Sequence, residues 1–222
     1  MQPAELLLAS NSPRRRQLLT LAGYRFVPSP VDIDETPLPG EPPQTYVLRL
    51  AREKAAAAYR LWRAPGSSNG SVMILAADTT VALDGVILGK PADALEAVDM
   101  LRRLRGRAHQ GYTGLALITP AGQTLTRVCA TRVFMRDYTG AEIDAYVASG
   151  DPFDKAGAYA IQNVEFHPVD RLEGCYANIM GLPVCTLEDL LREAGIEPRL
   201  GLQSCPPDSQ TCAFCRSLAG GA

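Results

Sequence analysis

The stretch Val72–Pro91 reads VMILAADTTVALDGVILGKP and consists of two apolar runs on either side of Asp84-Gly85. An Asp-Gly pair between apolar runs is typical of a two-residue β-hairpin turn. The stretch therefore predicts an antiparallel hairpin in which Thr79 lies opposite Lys90.

Helical patterns alternate with strand patterns along the rest of the chain. The segment Leu6–Gly23, LLLASNSPRRRQLLTLAG, predicts a strand, a short loop and a helix with Ser12 as N-cap and Pro13 at its first position. Further helices are predicted over 44–62, 93–106, 139–150 and 186–195, with Asp93 and Thr139 as the N-caps of the two middle ones. A second hairpin is predicted over 111–136, and a short strand near 182–185. Helices interleaved with two hairpins predict an α/β fold, with a mixed, twisted sheet and flanking helices.

The composition excludes several classes of protein. The chain has 222 residues, 46% hydrophobic and 21% charged, and a formal net charge of -2. Since it has no general basic field, we expect no stable nucleic-acid partner, and any anion site must be a local cluster. No apolar run reaches the roughly 20 residues of a membrane span, and the N-terminus lacks the pattern of a secretory signal. We therefore expect a cytoplasmic protein, in line with isolated cysteines at 129, 175 and 185 in apolar stretches.

Asp78 lies in the middle of the apolar run ILAADTTVAL. Buried carboxylates are rare unless paired or bound to a metal, so Asp78 is either functional or an edge residue that reaches water. The hairpin brings Gly89-Lys90-Pro91 back towards it. Strict pleating sends Lys90 and Asp78 to opposite faces, unless a strand end, a bulge or the length of lysine intervenes. GVILGKP is not a phosphate-binding P-loop, because it has one residue too few between the glycines and proline follows the lysine.

Three arginines, 14 to 16, fall in the first turn of the first predicted helix. Cations are unfavourable at a helix N-terminus unless something negative offsets them. This placement favours an anion site at the strand-to-helix junction, and the alternative is a solvated run of charge.

The remaining candidates are carboxylates at 32, 34, 35 and 78 and basic residues at 14, 54 and 90. The chain has no G-x-S-x-G motif and only two histidines, which disfavours a Ser-His-Asp hydrolase and a histidine-rich metal centre. The mixture of acidic and basic residues suits a divalent, oxygen-ligated metal together with a polyphosphate.

Seven motifs occur in order: ASNSPRR, Glu35 of the DIDE loop, LAREKA, ADT, GKP, DKAGAYAIQ and Asn-x-x-Gly-Leu-Pro. Together they resemble the Maf family of nucleoside triphosphate pyrophosphatases, historically named as septum-formation inhibitors. The similarity covers roughly residues 5 to 195. We therefore expect a Maf-like domain over 1–197 and a separate tail over 198–222.

The resemblance implies a fold shared with the inosine triphosphate pyrophosphatases, with two lobes around a deep cleft, and a homodimer. It implies hydrolysis of a nucleoside triphosphate to the monophosphate and pyrophosphate with magnesium or manganese. By motif match, the catalytic residues are Asp78 as general base, Lys54 and Lys90, and the metal ligands are Glu35 and Asp78. The matched substrate-binding residues are Ser10, Arg14, Arg15, Thr79 and Gln162, with Arg14 the principal arginine and Arg16 left to solvent.

The segment DKAGAYAIQ resembles the branch of the family that acts on dTTP and UTP. The Gln162 carboxamide matches N3–H and the adjacent carbonyl of uracil or thymine, although a flipped amide also matches cytosine. The close alternative is the same chemistry on 7-methyl-GTP, and an alternative of another class is a nucleotide-binding regulator of cell division. AIQN in place of the commoner GIQG, and Ala177 before Asn178, depart from the family pattern and bear on substrate range.

The segment Pro198–Ala222 lies outside the resemblance and contains Cys205, Cys212 and Cys215. These three cysteines are short of the four ligands of a structural zinc site, and the tail has no histidine. We expect a flexible tail with free thiols, and a zinc site completed by another ligand is the alternative.

Overall fold

The computed structural model describes residues 5–64, 71–202 and 212–219. Within those ranges the strands are β1 (Glu5–Leu8), β2 (Val27–Pro28), β3 (Val72–Leu83), β4 (Val86–Leu88), β5 (Ala108–Ile118), β6 (Thr124–Met135) and β7 (Val169–Glu173). The helices are α1 (Pro13–Leu21), α2 (Pro43–Trp62), α3 (Ala94–Leu104), α4 (Gly140–Ala148), α5 (Tyr176–Ile179), α6 (Val184–Glu193) and α7 (Ala213–Ala219). Short 3-10 turns at Asp151–Asp154 and Ala156–Ala158 lie between α4 and β7.

The strands form one mixed sheet in the order β2-β1-β3-β5-β6-β7, and β4 pairs with β3 beside this path. β1 runs parallel to β2 and β3. The pairs β3–β5, β5–β6 and β6–β7 are antiparallel. The predicted α/β fold with a mixed sheet and flanking helices is therefore confirmed.

The hairpin predicted around Asp84-Gly85 is also confirmed, but its strand pairing does not extend to the predicted pair Thr79 and Lys90. Asp84 has φ 52° and Gly85 has φ 80°, as a tight two-residue hairpin turn requires. Val81 pairs with Leu88 across the hairpin, and β4 ends at Leu88. Lys90 thus lies beyond the end of the strand, so the pleat of the sheet does not fix the direction of its side chain.

The predicted helix caps are confirmed as well. Ser12, Asp93 and Thr139 precede α1, α3 and α4, and each side chain accepts a hydrogen bond from the backbone N–H three residues later. Gly23 follows α1 with φ 77°, the left-handed conformation common just after a helix. None of the helices in the described ranges is long and apolar enough to span a membrane.

Strand β3 is buried on both faces because its side chains alternate between two helical layers. Leu75 and Ala77 join the core cluster that contains buried residues of α1 and α6. Ile74 and Ala76 pack against the buried alanines of α2. Asp78 continues the second set, so its side chain lies on the side of the sheet that α2 covers.

Helix α2 approaches the sheet closely at Gly114 of β5, the residue that pairs with Asp78. A Cβ atom at Gly114 would lie 2.4 Å from the carbonyl oxygen of Val47 on α2. This contact requires glycine, because any side chain would push the helix away from the sheet. The close approach holds α2 over the part of β3 that carries Asp78.

The strand predicted near 182–185 is wrong. Pro183 is the N-cap of α6, which begins at Val184, two residues before the predicted start at Thr186. A short apolar run does not distinguish a buried strand from the buried first turn of a helix, and Leu182 and Val184 are fully buried. Strand β7, which the sequence analysis did not predict, pairs with β6 at the edge of the sheet.

Residues 198–202 and 212–219, within the segment predicted as a flexible tail, contact the body of the protein. The backbone N–H groups of Leu200 and Leu202 donate to the carboxylate of Glu188, which is fully buried. Phe214 and Cys215 of α7 are buried in the same core cluster as α1 and α6. The described part of the segment beyond 197 thus packs with the body of the protein. Cys205 lies outside the described residues.

Candidate active site

A cavity of about 600 Å³ lies where the β1–α1 loop, α2 and β3 meet. Its lining comes from segments that are far apart in the sequence. The residues predicted to bind substrate or metal or to act in catalysis all line it: Ser10, Arg14, Arg15, Glu35, Lys54, Asp78, Thr79, Lys90 and Gln162. Of the other acidic candidates, Asp32 also lines the cavity, whereas Asp34 is exposed and accepts a hydrogen bond from the backbone of Thr36.

An ion-pair cluster lies on the buried side of this cavity. Nζ of Lys54 is 2.6 Å from Oδ1 of Asp78 and 2.6 Å from Oε1 of Glu35. Lys54 and Asp78 are buried, whereas the Glu35 side chain is 49% exposed. Because α2 covers the face of β3 that carries Asp78, one ammonium group holds a buried and a solvated carboxylate together.

The two carboxylates of the cluster differ in proton affinity. Burial raises the pKa of Asp78, and the nearby charges of Lys54 and Arg15 only partly oppose this. Burial is the largest single influence and acts to raise the pKa of Glu35. The hydrogen bond and charge of Lys54, together with the charges of Lys90 and Arg15, lower that pKa below its usual value. Neighbouring carboxylates with pKa values pushed apart are typical of a site with one proton acceptor and one permanently ionised group.

Arg15 is the arginine that the fold fixes inside the cavity. Its Nη1 donates to Oγ of Ser10 at 3.0 Å, and its Nη2 donates to Oγ1 of Thr79 at 3.1 Å. Its Nε donates to the carbonyl oxygen of Gly181 at 2.8 Å. Arg14, to which the sequence analysis gave the main role, forms an ion pair with Asp154 instead, at 3.2 Å.

The hydroxyl groups of Thr79 and Thr113 form a hydrogen-bonded chain that begins at Arg15. Oγ1 of Thr79 lies 2.9 Å from Oγ1 of the fully buried Thr113. Thr113 donates its hydroxyl proton to the carbonyl oxygen of Asn178 at 3.1 Å, so it accepts a hydrogen bond from Thr79. The sequence analysis did not single out Thr113 as a site residue. Asn178 and Gly181 belong to the quoted Asn-x-x-Gly-Leu-Pro motif, which was the available signal for this support.

A second charged network lies beside Arg14. Nζ of Lys155 is 2.6 Å from Oδ1 of Asp154 and 2.9 Å from Oδ1 of Asp151. Lys155 is buried, whereas the Asp154 side chain is 62% exposed. Asp154 and Lys155 are the first two residues of the motif DKAGAYAIQ, and the motif match predicted no role for either. Their proximity to Arg14 follows only from the fold.

Lys90 and Gln162 lie on the more solvated side of the lining. Lys90 is exposed, and its charge contributes to the low pKa of Glu35, after the larger effects of burial and Lys54. Gln162 is partly buried. The N–H of Gly157 donates to the carbonyl oxygen of Gly89 at 3.0 Å, which connects the loop that carries Lys90 to the 3-10 turn before Gln162.

Glu35 and Asp78 are the protein groups that could hold a divalent metal. They are hard oxygen donors, and both reach the same ammonium group of Lys54. Among the described residues, no three His, Cys, Asp or Glu side chains are grouped so as to hold a metal ion. Two carboxylates are the donor set of a cation such as Mg²⁺, which binds through one or two carboxylates and completes its shell with substrate phosphates and water.

Comparison with solved structures finds similarity at low sequence identity. The Staphylococcus aureus Ham1 protein aligns with a TM-score of 0.48 and 16% identity, over 86% of this chain and 99% of that chain. A nucleoside-triphosphatase / dITP/XTP pyrophosphatase from Mycobacterium abscessus aligns with a TM-score of 0.36 and 18% identity, over 60% of this chain and 75% of that chain.

Comparison of the sequence gives higher identities. A dTTP/UTP pyrophosphatase from Geobacter sp. (strain M21) is 46% identical over 196 residues, which cover 88% of this chain and 98% of that protein. A dTTP/UTP pyrophosphatase from Myxococcus xanthus (strain DK1622) is 50% identical over 191 residues, which cover 86% of this chain and 93% of that protein. The family model described as Maf-like protein matches residues 5–194. The chain therefore belongs to the Maf family.

Proposed function

We propose that this chain hydrolyses a nucleoside triphosphate, with dTTP and UTP preferred, to the nucleoside monophosphate and pyrophosphate. The observation that carries the proposal is the buried Asp78 carboxylate, 2.6 Å from Lys54 in a cavity also lined by Arg14, Arg15 and Lys90. The two relatives with 46% and 50% identity, both named dTTP/UTP pyrophosphatase, support the choice of substrate.

The cationic lining accounts for binding of a triphosphate. Arg15 is held in place before substrate arrives, so its charge is directed into the cavity without reorganisation. Arg14 is paired with Asp154, an exposed carboxylate, and exposed ion pairs contribute little to the free energy of unfolding. Arg14 therefore exchanges Asp154 for a phosphate oxygen when the triphosphate binds. Lys54 and Lys90 offset further negative charge.

Asp78 is the proton acceptor of the proposed reaction. Cleavage of the α–β phosphoanhydride needs a water molecule that loses a proton as it attacks. Burial brings the proton affinity of Asp78 closer to that required at neutral pH, and Lys54 holds its Oδ1 in a fixed position. The carboxylate takes the proton, and pyrophosphate departs.

Glu35 and Asp78 would hold a divalent cation, Mg²⁺ or Mn²⁺, beside the triphosphate. Such an ion neutralises phosphate charge and polarises the phosphoryl oxygen when it is bound. The lowered pKa of Glu35, where Lys54, Lys90 and Arg15 together outweigh burial, keeps this ligand ionised near neutral pH.

Base selection is assigned to Gln162, a partly buried residue that lines the same cavity. Its carboxamide offers one acceptor and two donor positions, which match N3–H and the adjacent carbonyl of uracil or thymine. A flipped amide matches cytosine, so the neighbours of Gln162 must hold its orientation if CTP is excluded.

The cellular setting is part of the proposal: a homodimer acting in the cytoplasm. The assembly is tested by light scattering on the purified chain, and a monomeric mass at micromolar concentration would contradict it. Cell fractionation with an antibody tests the location.

The decisive experiment is a pyrophosphate-release panel over dTTP, UTP, CTP and 7-methyl-GTP, with Mg²⁺ and with a chelator. We expect the highest kcat/KM for dTTP and UTP and loss of activity in the chelator. Preference for 7-methyl-GTP would overturn the role of Gln162. Tight binding of all four without turnover would favour a nucleotide-binding regulator of cell division.

The Asp78→Asn variant tests the proton acceptor. We expect kcat to fall by about 10²–10⁴-fold, the usual contribution of a general base, while nucleotide binding persists. Asp99→Asn, at an exposed position on α3, is the matched control and should keep full activity. Full pyrophosphate release by Asp78→Asn would refute the assignment.

A further inference from the structure

Two pairs of cysteine side chains lie close together where the region of the C-terminal helix α7 meets the body of the protein. Sγ of Cys185 lies 3.0 Å from Sγ of Cys212, and Sγ of Cys175 lies 3.5 Å from Sγ of Cys215. In each pair one cysteine lies within the family match, residues 5–194, and the other lies beyond it. The proposed nucleotide chemistry uses none of these four thiols.

Packing holds the two ends of each pair opposite one another. Cys175, Cys185 and Cys215 are buried, and Phe214 between the two tail cysteines is buried in the core. Cys212 is partly exposed. A disulfide bond is about 2.05 Å long. The sulfur atoms of Cys185 and Cys212 must therefore approach by about 1 Å, from 3.0 Å, to form one.

Zinc is disfavoured by the grouping of these thiols. Structural zinc sites take four ligands around one ion. Among the residues that the structure describes, no three His, Cys, Asp or Glu side chains converge in this way. Among the described residues, the four sulfur atoms make two close contacts, Cys185–Cys212 and Cys175–Cys215, and a disulfide needs two such thiols in contact.

We propose that Cys212 and Cys185 are a peroxide-sensitive thiol pair that forms a disulfide and fastens α7 to the body. Oxidation starts at a solvent-accessible thiol, so Cys212 reacts first. Its sulfur takes one oxygen from hydrogen peroxide, which yields a sulfenic acid and one water. The Cys185 sulfur then displaces that oxygen as a second water and forms the S–S bond. The two thiols lose two electrons and two protons, and the peroxide becomes two waters.

Cys175 and Cys215 serve as an internal comparison. Both are buried and their sulfur atoms are further apart, 3.5 Å, so this pair oxidises more slowly. At limiting peroxide, the Cys185–Cys212 bond forms while Cys175 and Cys215 remain reduced.

The test is peptide mapping of the full chain after titration with hydrogen peroxide and alkylation of the remaining thiols. Cleavage after Tyr176 separates Cys175 from Cys185, and cleavage after Phe214 separates Cys212 from Cys215. We expect one linked pair of peptides, joining Cys185 to Cys212, with a mass about 2 Da below the sum of its reduced peptides because two hydrogens are lost. Alkylation of all four thiols at every peroxide concentration would overturn the proposal, and so would prior formation of the Cys175–Cys215 bond.

Cys205 is tested separately because no cleavage after an aromatic or basic residue separates it from Cys212. The link should persist in Cys205→Ser and disappear in Cys212→Ser, and the reverse result would refute the pairing. Metal analysis of the protein as isolated completes the test, since one bound zinc per chain with all four thiols protected from alkylation would overturn it.

The stability readout uses the melting temperature of each variant, oxidised against reduced. Closing the loop between residues 185 and 212 should raise the midpoint by about 5–10 °C in the wild-type chain. The same shift is expected in Cys129→Ser and should be absent in Cys185→Ser. An equal shift in the wild type and in both variants would show that the bond is not the cause.

Discussion

The cavity has two kinds of lining that differ in how firmly the fold holds them. The buried lining consists of Lys54, Asp78, Arg15 and Thr79, each fixed by hydrogen bonds or ion pairs of 2.6 to 3.1 Å. The outer lining consists of Arg14, Asp154, Lys90 and Gln162, in which the ion pair Arg14–Asp154 measures 3.2 Å and lies at the surface.

The difference follows from where each set is anchored. The residues of the buried lining belong to α2, β3 and the first turn of α1. Core packing on both faces of the sheet fixes the backbones of these elements. The outer lining comes from the loop after β4 and the turns after α4, apart from Arg14. Side chains that the fold holds in place, as in the buried lining, stabilise the charge of a transition state. Side chains that can exchange partners, as in the outer lining, suit entry and selection of the substrate.

Lys54→Met should give the largest effect, because it leaves the buried Asp78 carboxylate without its partner. Removal of one member of a buried ion pair typically costs about 3–5 kcal/mol of the free energy of unfolding. We expect a loss in that range by urea denaturation, together with loss of pyrophosphate release. Arg102→Met, which removes an exposed cation from α3, should change stability little. The double variant Lys54→Met with Asp78→Asn should recover part of the loss, and additive losses would contradict the pairing.

A buried histidine next to the cavity lining also predicts that the stability of the protein depends on pH. Nε2 of the buried His109 lies 2.8 Å from the hydroxyl of Tyr159, which lines the cavity. Burial lowers the pKa of His109 from 6.5 to about 4. The unfolded chain therefore binds the proton first as the pH falls, so the stabilisation is present above pH 6.5 and is lost towards pH 4.

The size of this effect is about 3 kcal/mol at most, from roughly 1.4 kcal/mol per pH unit. We expect the wild-type protein to lose more free energy of unfolding between pH 7 and pH 4 than His109→Gln does, measured by urea denaturation. His167→Gln, at an exposed position, should follow the wild-type curve. Identical slopes for the wild type and His109→Gln would show that this histidine titrates normally.

Arg15→Lys should reduce kcat/KM by about 30-fold, because lysine cannot donate to Ser10, Thr79 and Gly181 at once and present a fixed charge. Steady-state kinetics with dTTP measures this. Arg16→Lys, on the exposed side of α1, is the matched control. If Arg14→Lys has a larger effect than Arg15→Lys, the division between the buried and outer lining is wrong.

Asp154→Asn should give the smallest effect and the opposite sign. The substitution removes the carboxylate that Arg14 exchanges for a phosphate oxygen when substrate binds. Because an exposed ion pair contributes about 0.2–1 kcal/mol to stability, KM should fall by up to about five-fold. We expect kcat to stay near its wild-type value. Asp137→Asn, an exposed carboxylate beside Arg105, is the control. A rise in KM would show that Asp154 assists binding rather than competing for Arg14.

Family motifs led to the candidate residues, but the contacts between them required the fold. Gln162 and Lys90 could be named from their motifs, and both line the cavity. Thr113 could not, because it lies in no motif and its partners Thr79 and Asn178 lie on other elements. Asp154 and Lys155 lie in the motif DKAGAYAIQ, but only the fold places them beside Arg14. The strand near 182–185 was misassigned because four apolar residues satisfy either period, and packing against the core decided for a helix.

The sequence by itself determined the local features: the hairpin turn at Asp84-Gly85, the caps at Ser12, Asp93 and Thr139, and a carboxylate within an apolar strand. These depend on backbone preferences and hydrogen bonds between residues close in sequence. Only the tertiary structure decided that Lys54 lies 2.6 Å from Asp78, that Arg15 rather than Arg14 is fixed in the cavity, and that the C-terminal cysteines face those of the body. Such contacts follow from how α2 crosses the sheet at Gly114 and how α7 packs on the core, and no periodicity in the chain encodes them.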